Sequence, residues 1–376
     1  MKNWIDRETA LALLGIKAQT LYAYVSRGRI RMRSDPADAR RSLYHAGDID
    51  ALVTQRSRGR RPAAIAASAL ALGEPAIATS VSTSTRGMLF YKGHSVPHLA
   101  RTASLEHVAA LLWDAAGPVD FVSRPVQQGS AFTALANLAI TAQPSLGRGS
   151  ATLAEDAGMI VGTLASACGA SPGKAALHRR LAEGWGCAGT ADAKIREALI
   201  LMADHDMTAS TFAVRVAAST GASLAACVLA GLCALSGPRH GGASAALGTL
   251  IEDAAREGCT AALDRWLNRG IELPGFGHPL YPDGDPRTAV LLEGVTLTDL
   301  MNDLARTVHE KTGLLPNCDF GLTGLASGLG LPVDAPFMLF LIGRSVGWCA
   351  HAMEQVRSGH LIRPRGRYEG VAPVFE

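Results

Sequence analysis

Four segments of this 376-residue chain set a titratable or charged side chain beside Gly or Pro, where a backbone turns. They are Ser236-Gly-Pro-Arg-His240-Gly-Gly, Gly275-Phe-Gly-His278-Pro-Leu-Tyr, Gly284-Asp-Pro-Arg287 and Pro316-Asn-Cys-Asp319-Phe-Gly. Imidazoles and a carboxylate are the groups of general acid–base chemistry, and a planar guanidinium binds a carboxylate through two hydrogen bonds. Loops and helix ends are where such groups tend to be displayed. One segment alone would carry little weight. A histidine near glycine is more often a satisfied structural residue, an aspartate such as Asp319 can merely cap a helix, and Arg287 has an acid, Asp285, two residues away. The joint occurrence is what points to a site.

The remaining patterns are weaker. Gly343-Arg-Ser345-Val-Gly347 matches the Gly-x-Ser-x-Gly nucleophile elbow, but it lies inside a helical pattern, Phe340 to Met353, with no strand before it. His94 and His98 have metal-ligand spacing, yet Pro97 between them spoils a helix and no Glu accompanies them, so no metal site is expected. Neither a Walker A nor a Rossmann glycine pattern occurs.

The elements that must position these groups read as helices. Hydrophobic residues make up 48% of the chain and aromatics 5%, with 40 glycines, a composition suited to closely packed helices rather than a β-sandwich. At this length two or three domains are expected. The seven cysteines, Cys168, Cys187, Cys227, Cys233, Cys259, Cys318 and Cys349, are scattered and include no Cys-x-x-Cys pair, which reads as reduced cytosolic thiols. The first residues carry acids where a signal peptide needs an apolar run, and the longest apolar stretch, Ala222 to Leu235, is too short to span a bilayer. The expectation is a cytoplasmic protein with no membrane contact.

Charge is uneven. Residues 1–62 hold 13 Lys/Arg against 6 Asp/Glu, whereas the rest holds 23 against 27. Residues 8–14 look helical, Gly15-Ile16 breaks the run, and Lys17 to Arg27 resumes it with Leu21, Tyr22 and Val25 at helical spacing. An Arg-rich stretch bending at Asp35-Pro36 reads as a hairpin wing, and Ala46 to Arg56 as another helix. This pattern resembles the excisionase and MerR-type helix-turn-helix modules. The resemblance implies a helix from about Ala18 lying in the DNA major groove, with Gln19, Thr20 and Tyr24 facing bases and the arginines facing phosphates. Such small modules also serve as protein docking sites. Ser57-Arg-Gly-Arg-Arg-Pro62 is polar, free of periodicity and reads as a linker.

Beyond the linker, the four segments occur in an order and spacing that resemble the citrate synthase family. The likeness begins at Gly87-Met-Leu-Phe-Tyr-Lys-Gly-His94 and runs through Leu105-Glu-His-Val-Ala-Ala-Leu-Leu-Trp113, Leu199-Ile-Leu-Met-Ala-Asp-His205-Asp and Ala209-Ser-Thr-Phe212. It closes with Gly343-Arg344-Ser-Val-Gly-Trp-Cys-Ala-His351 and Arg363-Pro-Arg365-Gly-Arg-Tyr-Glu-Gly370. It implies an all-α citrate synthase fold with large and small helical domains beside the N-terminal module. The expected boundaries are 1–56 for the helix-turn-helix module, 57–62 for the linker, 63–241 and 333–376 for the large domain, and 242–332 for the small one.

The implied activity is condensation of acetyl-CoA with oxaloacetate to citrate and CoA. By the resemblance, Asp319 takes the methyl proton, His240 hydrogen-bonds the thioester oxygen, and His278 polarises and protonates the oxaloacetate carbonyl. Arg287, Arg344 and Arg363 bind substrate carboxylates with His205 as a further ligand, and Arg363 reaches across a homodimer interface. No permanently bound cofactor is implied, only acetyl-CoA or another acyl-CoA as co-substrate. Propionyl-CoA, giving 2-methylcitrate, is the alternative, since one methylene is worth about 1–3 kcal/mol of discrimination. A different class of reading is a DNA-binding regulator, contacting DNA through residues 1–56, whose citrate synthase-like body senses such ligands. The chain departs from the family pattern at Pro279, Pro282, Thr208 and Ser244, where Arg, Lys, Asn and Asn are frequent. The CoA-phosphate contacts are therefore the least defined part of the pattern.

Overall fold

The computed structural model describes residues 4–16, 20–21, 24–25, 29–35, 38–58, 77–117, 119–122, 130–189, 191–270, 272–366, 368 and 370–371. Sixteen helices are defined among them. The chain divides into two compact units, Met1–Ile77 with Arg365–Glu376, and Ala78–Pro364.

The first unit opens with a two-residue strand, Trp4–Ile5, and a helix, Arg7–Leu14. Asp6 caps that helix, its carboxylate accepting from Thr9 N at 2.8 Å, and Gly15 ends it in the left-handed conformation at φ 58°. Residues 20–21 and 24–25 are helical. Strands Met32–Asp35 and Asp38–His45 pair antiparallel, Trp4–Ile5 adds to the other edge of the second, and helix Ala46–Arg58 follows. A small core of Ala10, Leu14, Leu21, Ile30, Tyr44, Ile49 and Leu52 joins these elements. Arg31 clamps Asp48 through Nε and Nη2 at 2.9 and 2.8 Å. Ala18, the expected start of the recognition helix, lies outside the described residues, as does Gln19; of the other residues expected to face bases, Thr20 is exposed and Tyr24 is half-buried.

The second unit begins with a hairpin, Ser82–Thr85 against Met88–Tyr91, which the helical composition had not announced. The rest is helical. Its centre is the helix Ala335–Ser358, which is apolar almost all round and buried accordingly. Gly343 and Gly347 let it approach the end of helix Asp192–Met202: a Cβ on Gly343 would lie 2.6 Å from the Leu199 carbonyl, and one on Gly347 would collide with the Ala203 carbonyl. Gly347 N instead donates to Ala203 O at 2.9 Å. Ser345, between these glycines, is fully buried with its hydroxyl donating to Ile342 O at 2.7 Å, so the Gly-x-Ser-x-Gly match is a packing device. The helices Leu105–Trp113, Ser150–Ala167, Ala209–Ser219 and Leu224–Leu235 surround this one and share its core.

A second hydrophobic cluster, from Leu247 to Phe320, gathers helices Ala243–Glu257, Cys259–Asn268, Asp299–Thr312 and the start of Cys318–Leu329. All seven cysteines are free thiols. Among the described residues no helix is long and apolar enough to cross a membrane.

Candidate active site

His240 sits in the tight turn joining helix Leu224–Leu235 to helix Ala243–Glu257. Its backbone N donates to Gly237 O at 3.0 Å. The turn needs glycine at 242, where a Cβ would fall 2.8 Å from the carbonyls of Ser236 and Gly237. Ser210, in the first turn of helix Ala209–Ser219, lies 2.8 Å from His240 Nε2. The same hydroxyl oxygen accepts from Trp348 Nε1 at 3.3 Å and lies 3.1 Å from Thr208 Oγ1, so the serine engages His240 at Nε2 from a fixed position. Burial, with Arg344 adding to it, pushes the His240 pKa down to about 4, so the ring is neutral near pH 7.

His278 and Asp319 are brought together by a short backbone pairing. Gly277 N donates to Leu315 O at 2.8 Å, Asn317 N to Gly275 O at 2.9 Å, and Asn317 Nδ2 to Gly277 O at 3.0 Å. Gly275 and Gly277 adopt φ of 82° and 74°, conformations that admit this loop only with glycine. Leu280 N donates to His278 Nδ1 at 3.2 Å, so the neutral ring carries its proton on Nε2. Burial and the neighbouring Arg287 lower the His278 pKa to about 4.

Asp319 occupies the first turn of helix Cys318–Leu329 but does not cap it. Asn317 does, its side chain accepting from Asp319 N at 3.0 Å. The Asp319 Oδ1 atom is shut off from solvent without a hydrogen-bond partner among the described residues. Burial raises its pKa to about 6, the guanidiniums of Arg287 and Arg344 only partly offsetting that. A carboxylate so placed is a base poised close to neutral pH.

Two buried arginines complete this neighbourhood and are held differently. Arg287 grips Asp285 through Nε at 3.0 Å and Nη2 at 2.7 Å, and Asp285 also accepts from Cys318 N at 3.1 Å. Burial would raise the Asp285 pKa, but the charge of Arg287 and its hydrogen bonds hold it below the usual range. Arg344 donates from Nε to Met202 O at 3.0 Å and lies over Phe340 with Cζ 4.8 Å from the ring, while its buried Nη1 has no partner among the described residues.

His205, 5% exposed, stacks edge-on against His278 with ring centroids 5.0 Å apart. Burial, reinforced by Arg287, Arg344 and His278, drives its pKa well below the usual value. Arg363 lies apart, exposed on the segment after the long helix. The structure therefore gathers His205, His240, His278, Arg287, Asp319 and Arg344 through mutual contacts and charge effects, and leaves Arg363 outside. Sequence reasoning passed over Ser210 and Tyr281, which hydrogen-bond His240 and His205. Each lies in a segment that was singled out, but nothing in one-dimensional order says which side chains meet.

A family model described as "Citrate synthase, C-terminal domain" matches residues 174–365. The chain is 35% identical over 185 residues to a citrate synthase of Haloferax volcanii, covering 46% of this chain and 49% of that protein. It is 37% identical over 186 residues to a 2-methylcitrate synthase of Shewanella oneidensis, covering 46% and 50% respectively. The chain thus spans about half the length of the curated relatives it matches. In fold it is similar to citrate synthase from Thermotoga maritima, with a TM-score of 0.70 at 24% identity over 81% of this chain and 96% of that one. It is likewise similar to the citrate synthase from Thermoplasma acidophilum in ternary complex with carboxymethyl coenzyme A and oxaloacetate, with a TM-score of 0.68 at 24% identity over 80% and 96%.

Proposed function

The chain belongs to the citrate synthase family, and on that footing we propose that it condenses acetyl-CoA with oxaloacetate to give citrate and CoA. The observation that carries this reading is the pairing of two neutral imidazoles with one buried carboxylate whose Oδ1 has no partner among the described residues. Ionised Asp319 removes a methyl proton from the thioester. His240 Nδ1–H donates to the thioester oxygen as the enol forms, and His278 Nε2–H donates to the ketone of oxaloacetate. The enol carbon attacks that ketone, the new alkoxide takes the proton from His278, and water then cleaves the citryl thioester to release CoA. The carboxylates of the oxo acid fall to Arg344 through its unpartnered Nη1, to Arg287, and to His205.

Arg363, exposed in the single chain, is assigned to the cleft of a second copy in a homodimer. Mixing Arg363→Ala subunits with Asp319→Asn subunits should then restore activity, because one cleft of the mixed dimer has both groups intact. No recovery after confirmed subunit exchange would return Arg363 to its own subunit or to no role.

CoA release from acetyl-CoA plus oxaloacetate, with propionyl-CoA in parallel, tests the reading. Faster release with propionyl-CoA would make the enzyme a 2-methylcitrate synthase, and release with neither would overturn it. A second reading concerns residues 1–56: exposed Arg33 and Arg41 on the paired strands suit contact with DNA phosphates, and a gel-shift series over rising salt would test it.

A further inference from the structure

The backbone on both sides of His205 is pinned by the hairpin Ser82–Tyr91. Ser82 Oγ bonds the Asp204 carboxylate and accepts from Asp206 N at 3.1 Å, while Tyr91 Oη accepts from Asp204 N at 2.9 Å. The main chain of His205 is thereby fixed, but a neutral imidazole still has two tautomers and a ring that turns. Tyr281 meets that ring. Its hydroxyl lies 3.0 Å from His205 Nε2, its ring stands 4.8 Å from that of His278 at an interplanar angle of 32°, and the residue is 3% exposed.

From this arrangement we infer that Tyr281 is a positioning residue, which sets the tautomer and orientation of His205 for the oxo acid. Ser84 Oγ donates to the Tyr281 oxygen at 3.2 Å, so the phenol keeps its own proton for His205 Nε2. The imidazole proton then sits on Nδ1, and His205 presents a single N–H donor to a substrate carboxylate. Burial raises the phenol pKa, which keeps that proton in place across the working range. The Tyr281 ring also backs His278, with Arg287 Cζ 5.8 Å from its centroid, so one side chain braces the two imidazoles. The hairpin holds the backbone of His205 and, through Ser84, the phenol that holds its side chain.

The tautomer is observable without any turnover, which separates this inference from the acyltransferase reading it rests on. In protein labelled with 15N-histidine, the His205 signal, identified by its loss in His205→Ala, should show unprotonated Nε2 and protonated Nδ1. Tyr281→Phe, which keeps the ring and removes only the hydroxyl, should shift population toward the Nε2–H form. In kinetics the same variant should raise the oxaloacetate KM about tenfold, the size expected for one lost buried hydrogen bond, and leave the acetyl-CoA KM within about twofold. Ser84→Ala should move the same parameter in the same direction by less. A protonated Nε2 in the wild type, an unchanged His205 spectrum in Tyr281→Phe, or an equal rise in both KM values would overturn the inference. A wild type with the predicted tautomer and no CoA release would instead overturn the acyltransferase reading alone.

Discussion

The two sides of the site are built by different means. On one side His240 and Arg344 rest, through the Met202 carbonyl, Ser210 and Trp348, on the helices Asp192–Met202, Ala209–Ser219 and Ala335–Ser358, which pack in the main core. On the other, His278, Arg287 and Asp319 hang on short segments tied to one another: Asn317 to Gly275 and Gly277, and Asp285 to both Arg287 and Cys318. The first side owes its geometry to packing that many residues share. The second owes it to a few hydrogen bonds, so cutting one of these should disturb several functional groups together.

The largest effect expected tests the loop side at its chemical end. Asp319→Asn should lower kcat by about 10²–10⁴, since an amide cannot accept the methyl proton, with no loss of folding. Near-wild-type turnover in the purified variant would remove Asp319 from the role of base. Next, Arg287→Ala strands buried Asp285 as an unpaired charge, which should cost about 3–5 kcal/mol in denaturant titration as well as activity. Arg344→Ala should cost less stability while sharply weakening oxaloacetate binding, because Arg344 has no directly bonded carboxylate to strand among the described residues. Equal destabilisation by the two would erase the distinction between the two sides.

On the helix side, Ser210→Ala should lower kcat about tenfold without altering the melting temperature by more than a few degrees, because the hydroxyl orients His240 while the helix stays packed. A large loss of stability would show that Ser210 belongs to the framework and not to the imidazole. The smallest effect is one of pH. Asp319 has a folded-state pKa of about 6, above its ordinary value of 3.8, so between these limits the folded protein holds a proton that the unfolded chain has released. Stability should therefore fall as pH rises through that window, and ionised Asp319 remains a cost above it. Asp319→Asn should melt at or above the wild-type temperature at pH 7.5 and lose that margin below about pH 4. An equal margin at both pH values would place the effect elsewhere. Wild-type kcat/KM for the acyl donor should rise through about pH 6, while the imidazoles, neutral above about 4, set no limb there.

The sequence by itself determined much of this protein. Its small-residue, apolar periodicity specified helices, because that composition buries surface only by close helix packing, and Gly343 and Gly347 show the packing at its tightest. The ordered segments around His205, His240, His278, Arg287 and Asp319 were legible because each sits at a turn or helix end with its own local residues, whereas Arg344 lies in the middle of a long helix. Tertiary structure alone decided what those groups meet. Asp285 reads in one dimension only as an ion-pair partner for Arg287, and in space it also caps the following helix and accepts from Cys318 N. Ser210 and His240 are separated by 30 residues and Ser84 and Tyr281 by 197, distances over which no local periodicity carries information. Protonation lay equally out of reach, since burial sets the pKa values of Asp319 and the two imidazoles, and burial is a property of the packed molecule.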